Sequence, residues 1–248
     1  MPSRGGPLRV AVVCEARADF DLAATLIDRV LCEHLPWLAA HGSADPARAW
    51  WQDASGRPFL LWTEIPKQAR QQGVRAHGHF GGEPGAADAH AARLALLLLS
   101  RAAQPPDAVV LLRDTDGDLS RCQGLQQART DPQRSWPFPI VLGAAHTKRE
   151  CWLLCGFDPG DPTEQREHAA VCADLGFDPR TASQQLTAVD EAAKRSAKRV
   201  LSALSGRDPL RETRCYAETP LDTLRARGGE NGLANFLLYL RKRLTPLV

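Results

Sequence analysis

AVVLLRDTDGD, residues 108–118, joins an apolar run, Ala108 to Leu112, to three carboxylates, Asp114, Asp116 and Asp118, within five residues. An apolar run of this length bounded by turn residues fits a strand buried on both faces, the kind found in parallel sheets. Carboxylates so close raise each other's pKa unless a cation sits among them, and hard oxygen donors favour a divalent metal. An Asp/Gly-rich turn whose side chains cap backbone amides accounts for the cluster equally well, so other carboxylates must decide.

Two further acids stand at corresponding places. LRVAVVC, Leu8 to Cys14, is a β-branched run followed by Glu15; FPIVL, Phe138 to Leu142, is followed by His146, Lys148, Arg149 and Glu150. In a parallel sheet wound with helices, ligands collect outside the carboxyl ends of the strands. Glu15, the Asp114 cluster and Glu150 are therefore expected to face one crevice, provided that the three runs are parallel neighbours.

The intervening segments read as helices and loops. Leu22, Leu26, Ile27, Val30 and Leu31 recur at helical spacing, with Asp19 as the expected N-cap. Pro36 to Pro58 is rich in Trp and Ala, with Trp50 and Trp51 as packing anchors, and Phe59 to Ile65 is expected to form the second strand. Gln68 to Gly85 holds five glycines with His77 and His79 and reads as a long loop whose histidines are surface residues. Ala86 to Ser100 is an Ala/Leu-rich helix leading through Pro105 and Pro106 into the 107–112 strand. Leu119 to Arg134 is expected to be partly helical, Trp136 to Leu142 a strand, and Arg149 to Cys155 a helix. This order of strands and helices is an α/β signature. From Pro162 onward helical periods dominate, including Asp190 to Leu204 and Gly232 to Leu244. The expected organisation is an α/β parallel-sheet domain over residues 1–158 and a helical C-terminal portion over 159–248.

Composition sets the class. With 248 residues the chain can bury a full core without staples, and a net charge of +2 gives no strong overall field, so nucleic-acid binding would rest on local basic patches. Two such patches are Lys194, Arg195, Lys198 and Arg199, read as one helix face, and Arg241, Lys242 and Arg243; each also reads as a plain solvated face. Seven scattered cysteines without a paired CxxC fit reduced thiols and a cytoplasmic setting. Cys151 and Cys155 share a helix face near His146 but read as buried small side chains rather than zinc ligands. The N-terminal MPSRGGPLRV lacks the core of a signal peptide, and Leu94 to Leu99 is too short to cross a bilayer, so no membrane association is expected.

A strand ending in Glu15, with Asp19 shortly after, a strand ending in Asp114-x-Asp116, and an acid after the next strand together resemble the TOPRIM domain. That fold is shared by topoisomerases, primases and nucleases of the overcoming-lysogenization-defect type. His146 through Leu154 (HTKRECWLL) is similar to the His…Glu-x-Trp-Leu-Leu stretch of small stand-alone bacterial TOPRIM-like proteins. The resemblance spans roughly Leu8 to Cys155. It implies a Mg²⁺- or Mn²⁺-dependent phosphodiesterase, a nuclease of antiviral defence or DNA maintenance, acting on DNA ahead of RNA. By residue it implies Glu15 as metal ligand or general acid/base, Asp114 and Asp116 as metal ligands, and Glu150 as ligand of a second metal. Lys148 would meet the scissile phosphate, with Arg17, Arg121, His146 and Arg149 contacting substrate. The chain departs from the family at Ala16, where glycine usually follows the Glu; a right-handed entry into the helix would accept alanine.

Other readings share parts of the pattern. A haloacid-dehalogenase-like phosphatase also places Asp-x-Asp-Gly after a strand, making Asp114 the nucleophile and Asp116 the acid/base. Asp118 stands where that family has Thr or Val, and Lys148 with Asp158 and Asp161 matches its remaining acids poorly. A catalytically inactive TOPRIM module that binds nucleic acid or a partner protein is the non-enzyme alternative. An EF-hand fails because Leu125 occupies the bidentate Glu position. Gly143 to Lys148 is not a Walker loop, so any energy coupling would come from a separate ATPase subunit. Tyr216 and Tyr239 lie in the helical tail, which disfavours strand passage.

Overall fold

The computed structural model describes residues 6–39, 41 and 43–248. Met1 to Gly5, part of the N-terminal stretch read above, lie outside the described residues, as do Ala40 and Gly42. The described residues form two compact units, one drawn from 6–113, 119–143 and 238–248, the other from 114–118 and 144–237. The expected division at 158/159 falls inside the second unit.

The fold is α/β with a mostly parallel five-stranded sheet, as the sequence indicates. In chain order the first elements are β1 (Leu8–Cys14), α1 (Arg17–His34), α2 (Pro36–Ala39), β2 (Arg48–Trp50), β3 (Leu60–Leu61), α3 (Ile65–Gln71), β4 (His79–Phe80), β5 (Glu83–Pro84), α4 (Ala89–Ser100), β6 (Ala108–Asp114), α5 (Ser120–Arg129) and β7 (Ile140–Ala145). Sheet order is β2-β1-β6-β7, with β3 pairing the far end of β1. β1 runs parallel to β2, β3 and β6, with Val10 opposite Ala108 and Val13 opposite both Leu60 and Leu111. Val109 N–H bonds Pro139 O at 3.0 Å and Thr115 N–H bonds Ala145 O at 2.9 Å. The partners advance together, so β7 is parallel as well. β1 and β6 are buried along nearly their whole length, which is why both read as unbroken apolar runs.

Several boundaries differ from expectation for physical reasons. The second strand shrinks to Leu60–Leu61 because Pro66 at the first turn starts α3 at Ile65, while β2 at Arg48–Trp50 supplies an edge strand the pattern did not show. The glycine-rich stretch contains the end of α3 and a hairpin, β4–β5, whose turn carries Gly81 and Gly82 at φ +60° and +96°. β7 starts after Pro137 and Pro139, which cannot donate to a ladder, and runs on through Gly143 to Ala145. Asp19 is not the N-cap of α1. Ala16 is, and Asp19 lies inside the first turn with Oδ2 accepting from the N–H groups of Glu15 and Ala16 at 3.1 and 2.8 Å.

One hydrophobic cluster of the first unit is built from β1, β6, α3, α4 and α5, and α1 buries Leu22, Leu26, Ile27 and Leu31 besides. Gly124 of α5 passes so close to the chain before α4 that a Cβ there would lie 1.8 Å from Ala87 O. Within this core Arg93 and Asp131, both fully buried, form an ion pair at 2.6 Å, and the guanidinium carbon of Arg93 lies 3.6 Å from the Phe80 ring centroid.

The second unit is helical: α6 (Arg149–Cys155), α7 (Pro162–Leu175), α8 (Ala197–Ser205), α9 (Pro209–Ala217), α10 (Leu221–Arg227) and the start of α11 (Leu233–Leu244). The short α6 is buried almost all round against α8, α9 and α10. α8 starts later than expected because Ser196 caps it, its hydroxyl accepting from Arg199 N at 3.3 Å. Lys194 and Arg195 consequently precede the helix and share no helical face with Lys198 and Arg199. Among the described residues no helix is long and apolar enough to cross a membrane.

Candidate functional site

β6 ends at Asp114, and the backbone then turns through Asp116 at φ +50° and Gly117 at φ +84°. Two successive left-handed residues reverse the chain, and Asp and Gly are among the few residues that take this conformation readily. Buried Thr115 fixes the turn. Its hydroxyl lies 2.9 Å from His146 Nδ1 and accepts from Gly117 N–H at 3.3 Å, and its carbonyl accepts from Asp118 N–H at 2.8 Å. Asp116 N–H reaches Thr147 O at 2.8 Å. The aspartate turn is thus stitched to the loop that leaves β7.

That loop leads into α6, whose first residue, Arg149, donates its backbone N–H to Asp114 Oδ1 at 2.8 Å. Lys148 caps the helix in extended conformation, with Nζ 3.9 Å from Asp116 Oδ1. Buried Glu150 lies beside Arg149, whose Nη2 is 3.4 Å from Oε1. One Asp114 oxygen therefore ties the strand end to the start of the helix that carries Glu150. Lys198 of α8 faces the same group: its ammonium is held above the usual lysine range, foremost by its hydrogen bond to Glu191, with Glu150 and Asp114 adding to the pull. Burial lowers the His146 pKa, which favours the neutral imidazole.

The second unit therefore brings together Asp114, Asp116, Glu150, His146, Lys148 and Arg149. Glu15, Arg17 and Arg121 belong to the first unit. Glu15 forms an ion pair with Arg113 at 2.9 Å, and Arg113 also holds Asp88 at 2.9 Å, which Arg121 approaches at 3.7 Å. Arg17 is exposed and paired at 2.7 Å with Asp21, one turn along α1. Ala16 sits at φ −149°, extended backbone that any residue adopts, so the glycine usual at this place is not required for the chain to enter α1.

Sequence reasoning missed three residues that organise these groups. Arg113 interrupts an apolar strand next to Asp114, a placement that could have signalled a paired charge. Lys198 was visible only as part of a basic run. Asn231, 1% exposed, is a hub: its carbonyl oxygen accepts from His146 N–H at 3.0 Å and Trp152 Nε1 at 2.8 Å, and its Nδ2 donates to Cys151 O and Ser183 Oγ. Gly232 next to it holds φ +90°, and a Cβ there would lie 2.3 Å from Ala144 O.

The donor set suits Mg²⁺ or Mn²⁺, since every acid offers hard carboxylate oxygens. Asp114, Asp116 and Glu150 do not each bring an oxygen within 4.8 Å of the others. Mg²⁺ commonly uses one or two carboxylates, with water and phosphate completing its octahedron, so the residues fit the ion without a three-ligand cage. No family model, curated protein or solved structure matches this chain.

Proposed function

We propose that the chain is a Mg²⁺- or Mn²⁺-dependent phosphodiesterase, a nuclease of TOPRIM type. The observation supporting this reading is the 2.8 Å bond from Arg149 N–H to Asp114 Oδ1, which gathers Asp114, Asp116, Glu150, Lys148 and Arg149 around one strand end. Asp114 and Asp116 would hold the metal, and Glu150, by the resemblance, a second one. An ion held there would supply neutralisation of a non-bridging phosphate oxygen and a lowered pKa for the attacking water. Lys148 and Arg149 bind and orient the phosphate, and neutral His146, held by the Thr115 hydroxyl, offers a ring nitrogen to position water. Glu15 enters the reading through the family resemblance alone, as do the defence role, the preference for DNA and a separate ATPase partner.

The deciding experiment incubates the purified chain with supercoiled plasmid, single-stranded DNA and RNA in Mg²⁺, Mn²⁺ or EDTA, beside Asp114→Ala and Glu15→Ala variants. Metal-dependent cleavage that is lost in Asp114→Ala supports the proposal; equal cleavage by variant and wild type sinks it. Binding that persists in EDTA with no cleavage in either Mg²⁺ or Mn²⁺ would favour an inactive nucleic-acid-binding module. Release of phosphate from a monoester would favour the dehalogenase-like phosphatase.

A further inference from the structure

His168, Cys172 and Asp178 converge at the end of α7. His168 and Cys172 are four residues apart, so they share one face of the helix a turn from each other. Gly176 then closes the helix at φ +81°, its N–H bonding Cys172 O at 2.8 Å, and the chain doubles back to bring Asp178 onto that face. His168 Nε2 lies 3.2 Å from Asp178 Oδ1 and 3.4 Å from Cys172 Sγ, and all three atoms lie within 4.8 Å of one another.

Both neighbours address the same ring nitrogen, which as a donor has to divide one hydrogen between the carboxylate and a weakly accepting sulfur. Protonated, Nε2 donates to Asp178 and has no lone pair for the thiol; deprotonated, it can accept from the thiol but faces the carboxylate with like polarity. A Cys–His–Asp relay is also excluded, because the acid there holds the ring nitrogen opposite the nucleophile. A divalent ion in place of the proton satisfies all three groups. Zinc bound tetrahedrally at ordinary bond lengths has edges of about 3.3 Å between N and O ligands and about 3.5 Å between N and S ligands. The observed 3.2 and 3.4 Å separations match these edges.

We propose that His168, Cys172 and Asp178 form a zinc site. Imidazole and thiolate select a borderline-soft ion over Mg²⁺ or Mn²⁺, so this site is chemically distinct from the carboxylate group. Three protein ligands leave the fourth position to water or an external donor. Arg180 donates from its backbone N–H and guanidinium to both Asp178 oxygens at 2.8 to 3.1 Å, fixing the carboxylate, and Phe157 packs against the His168 ring at 6.4 Å between centroids.

The test uses the full chain stripped of metal by chelator dialysis, then titrated with Co²⁺ and, separately, with Zn²⁺ against a chromophoric chelator. One equivalent of Co²⁺ is expected to give the intense visible bands of a tetrahedral site and a thiolate-to-cobalt charge-transfer band. Cys172→Ser should abolish the charge-transfer band, and His168→Asn should weaken Zn²⁺ binding by about 100-fold or more. A Cys32→Ser/Cys122→Ser variant should keep the band, excluding the other partly exposed thiols in the described structure. The proposal is overturned if the wild-type chain binds less than one equivalent, or if the charge-transfer band survives Cys172→Ser. Far-ultraviolet circular dichroism confirms folding of each variant, and wild-type stoichiometry alone decides the matter should a variant unfold. Nuclease activity is not read, so failure of the zinc site leaves the phosphodiesterase proposal standing.

Discussion

Asp114 Oδ1 accepts the backbone N–H of Arg149 at 2.8 Å, so the acid that ends β6 also satisfies an orphan amide at the start of α6. This double engagement separates two roles by mutation. Asp114→Asn keeps an oxygen acceptor and should change stability by only a few tenths of a kcal/mol, whereas Asp114→Ala should cost about 1 kcal/mol. Metal-dependent cleavage should be lost in both. Urea unfolding of the two variants beside a plasmid assay checks this; equal stability losses would mean that the bond contributes nothing.

Arg93 and Asp131 form the fully buried ion pair of the first unit. Removing one partner strands a charge in the core, so Asp131→Ala should destabilise by about 3 to 5 kcal/mol. The double variant Arg93→Leu/Asp131→Leu should recover part of that loss. Chemical denaturation of both reads the difference, and a double variant as unstable as the single would refute the argument.

Glu164 is held below the usual carboxylate range, chiefly by hydrogen bonds from Arg211, whose Nε and Nη2 reach its two oxygens at 2.6 and 3.0 Å. A carboxyl whose folded pKa is depressed contributes stability above its unfolded value near 4.5, and that contribution fades as pH falls through the lower folded value. Glu164→Gln should therefore cost about 1 to 2 kcal/mol at pH 7 and less at an acid pH below 4.5. A variant whose deficit is the same at both pH values would contradict the linkage.

Gly124 and Gly117 differ in why they are glycines. Gly124→Ala would force a Cβ against Ala87 O and should cost roughly 3 kcal/mol or more through displacement of backbone. Gly117 has open space around its Cβ position but φ +84°, so Gly117→Ala should cost about 1 to 2 kcal/mol from conformation alone. Thermal unfolding ranks them, and the opposite order would show that the α4–α5 approach is soft.

The parts of the fold that could be read in the sequence were those with one dominant cause. β1 and β6 are buried on both sides and α1 on one, so an apolar run and a helical stripe announce them. β2 and β3 are two or three residues long, too short for any period, and β7 ends in Gly143-Ala144-Ala145, which carries no strand preference. Within the site, Asp114, Asp116, Lys148, Arg149 and Glu150 were legible because they flank strand and helix ends. Arg113, Lys198 and Asn231 were not, because what ties them to these groups are residues 25 to 98 positions away, Glu15 and Asp88 for Arg113, Asp114 and Glu150 for Lys198, and Cys151 for Asn231, that only packing brings near. His168, Cys172 and Asp178 escaped notice for the related reason that a glycine reversal, not spacing, closes the set.

Asn231 meets demands that few side chains could meet together. Its amide nitrogen also approaches Cys155 Sγ at 3.0 Å, so three acceptors share two hydrogens, while Oδ1 receives the N–H of Leu233 at 3.1 Å. Aspartate would turn a second oxygen toward those acceptors, and leucine would leave them dry and unanswered. The consequence is a keystone remote from any reacting atom: loosening position 231 would release the carbonyl that steadies His146 and Trp152, and the histidine would drift before a single carboxylate had been altered.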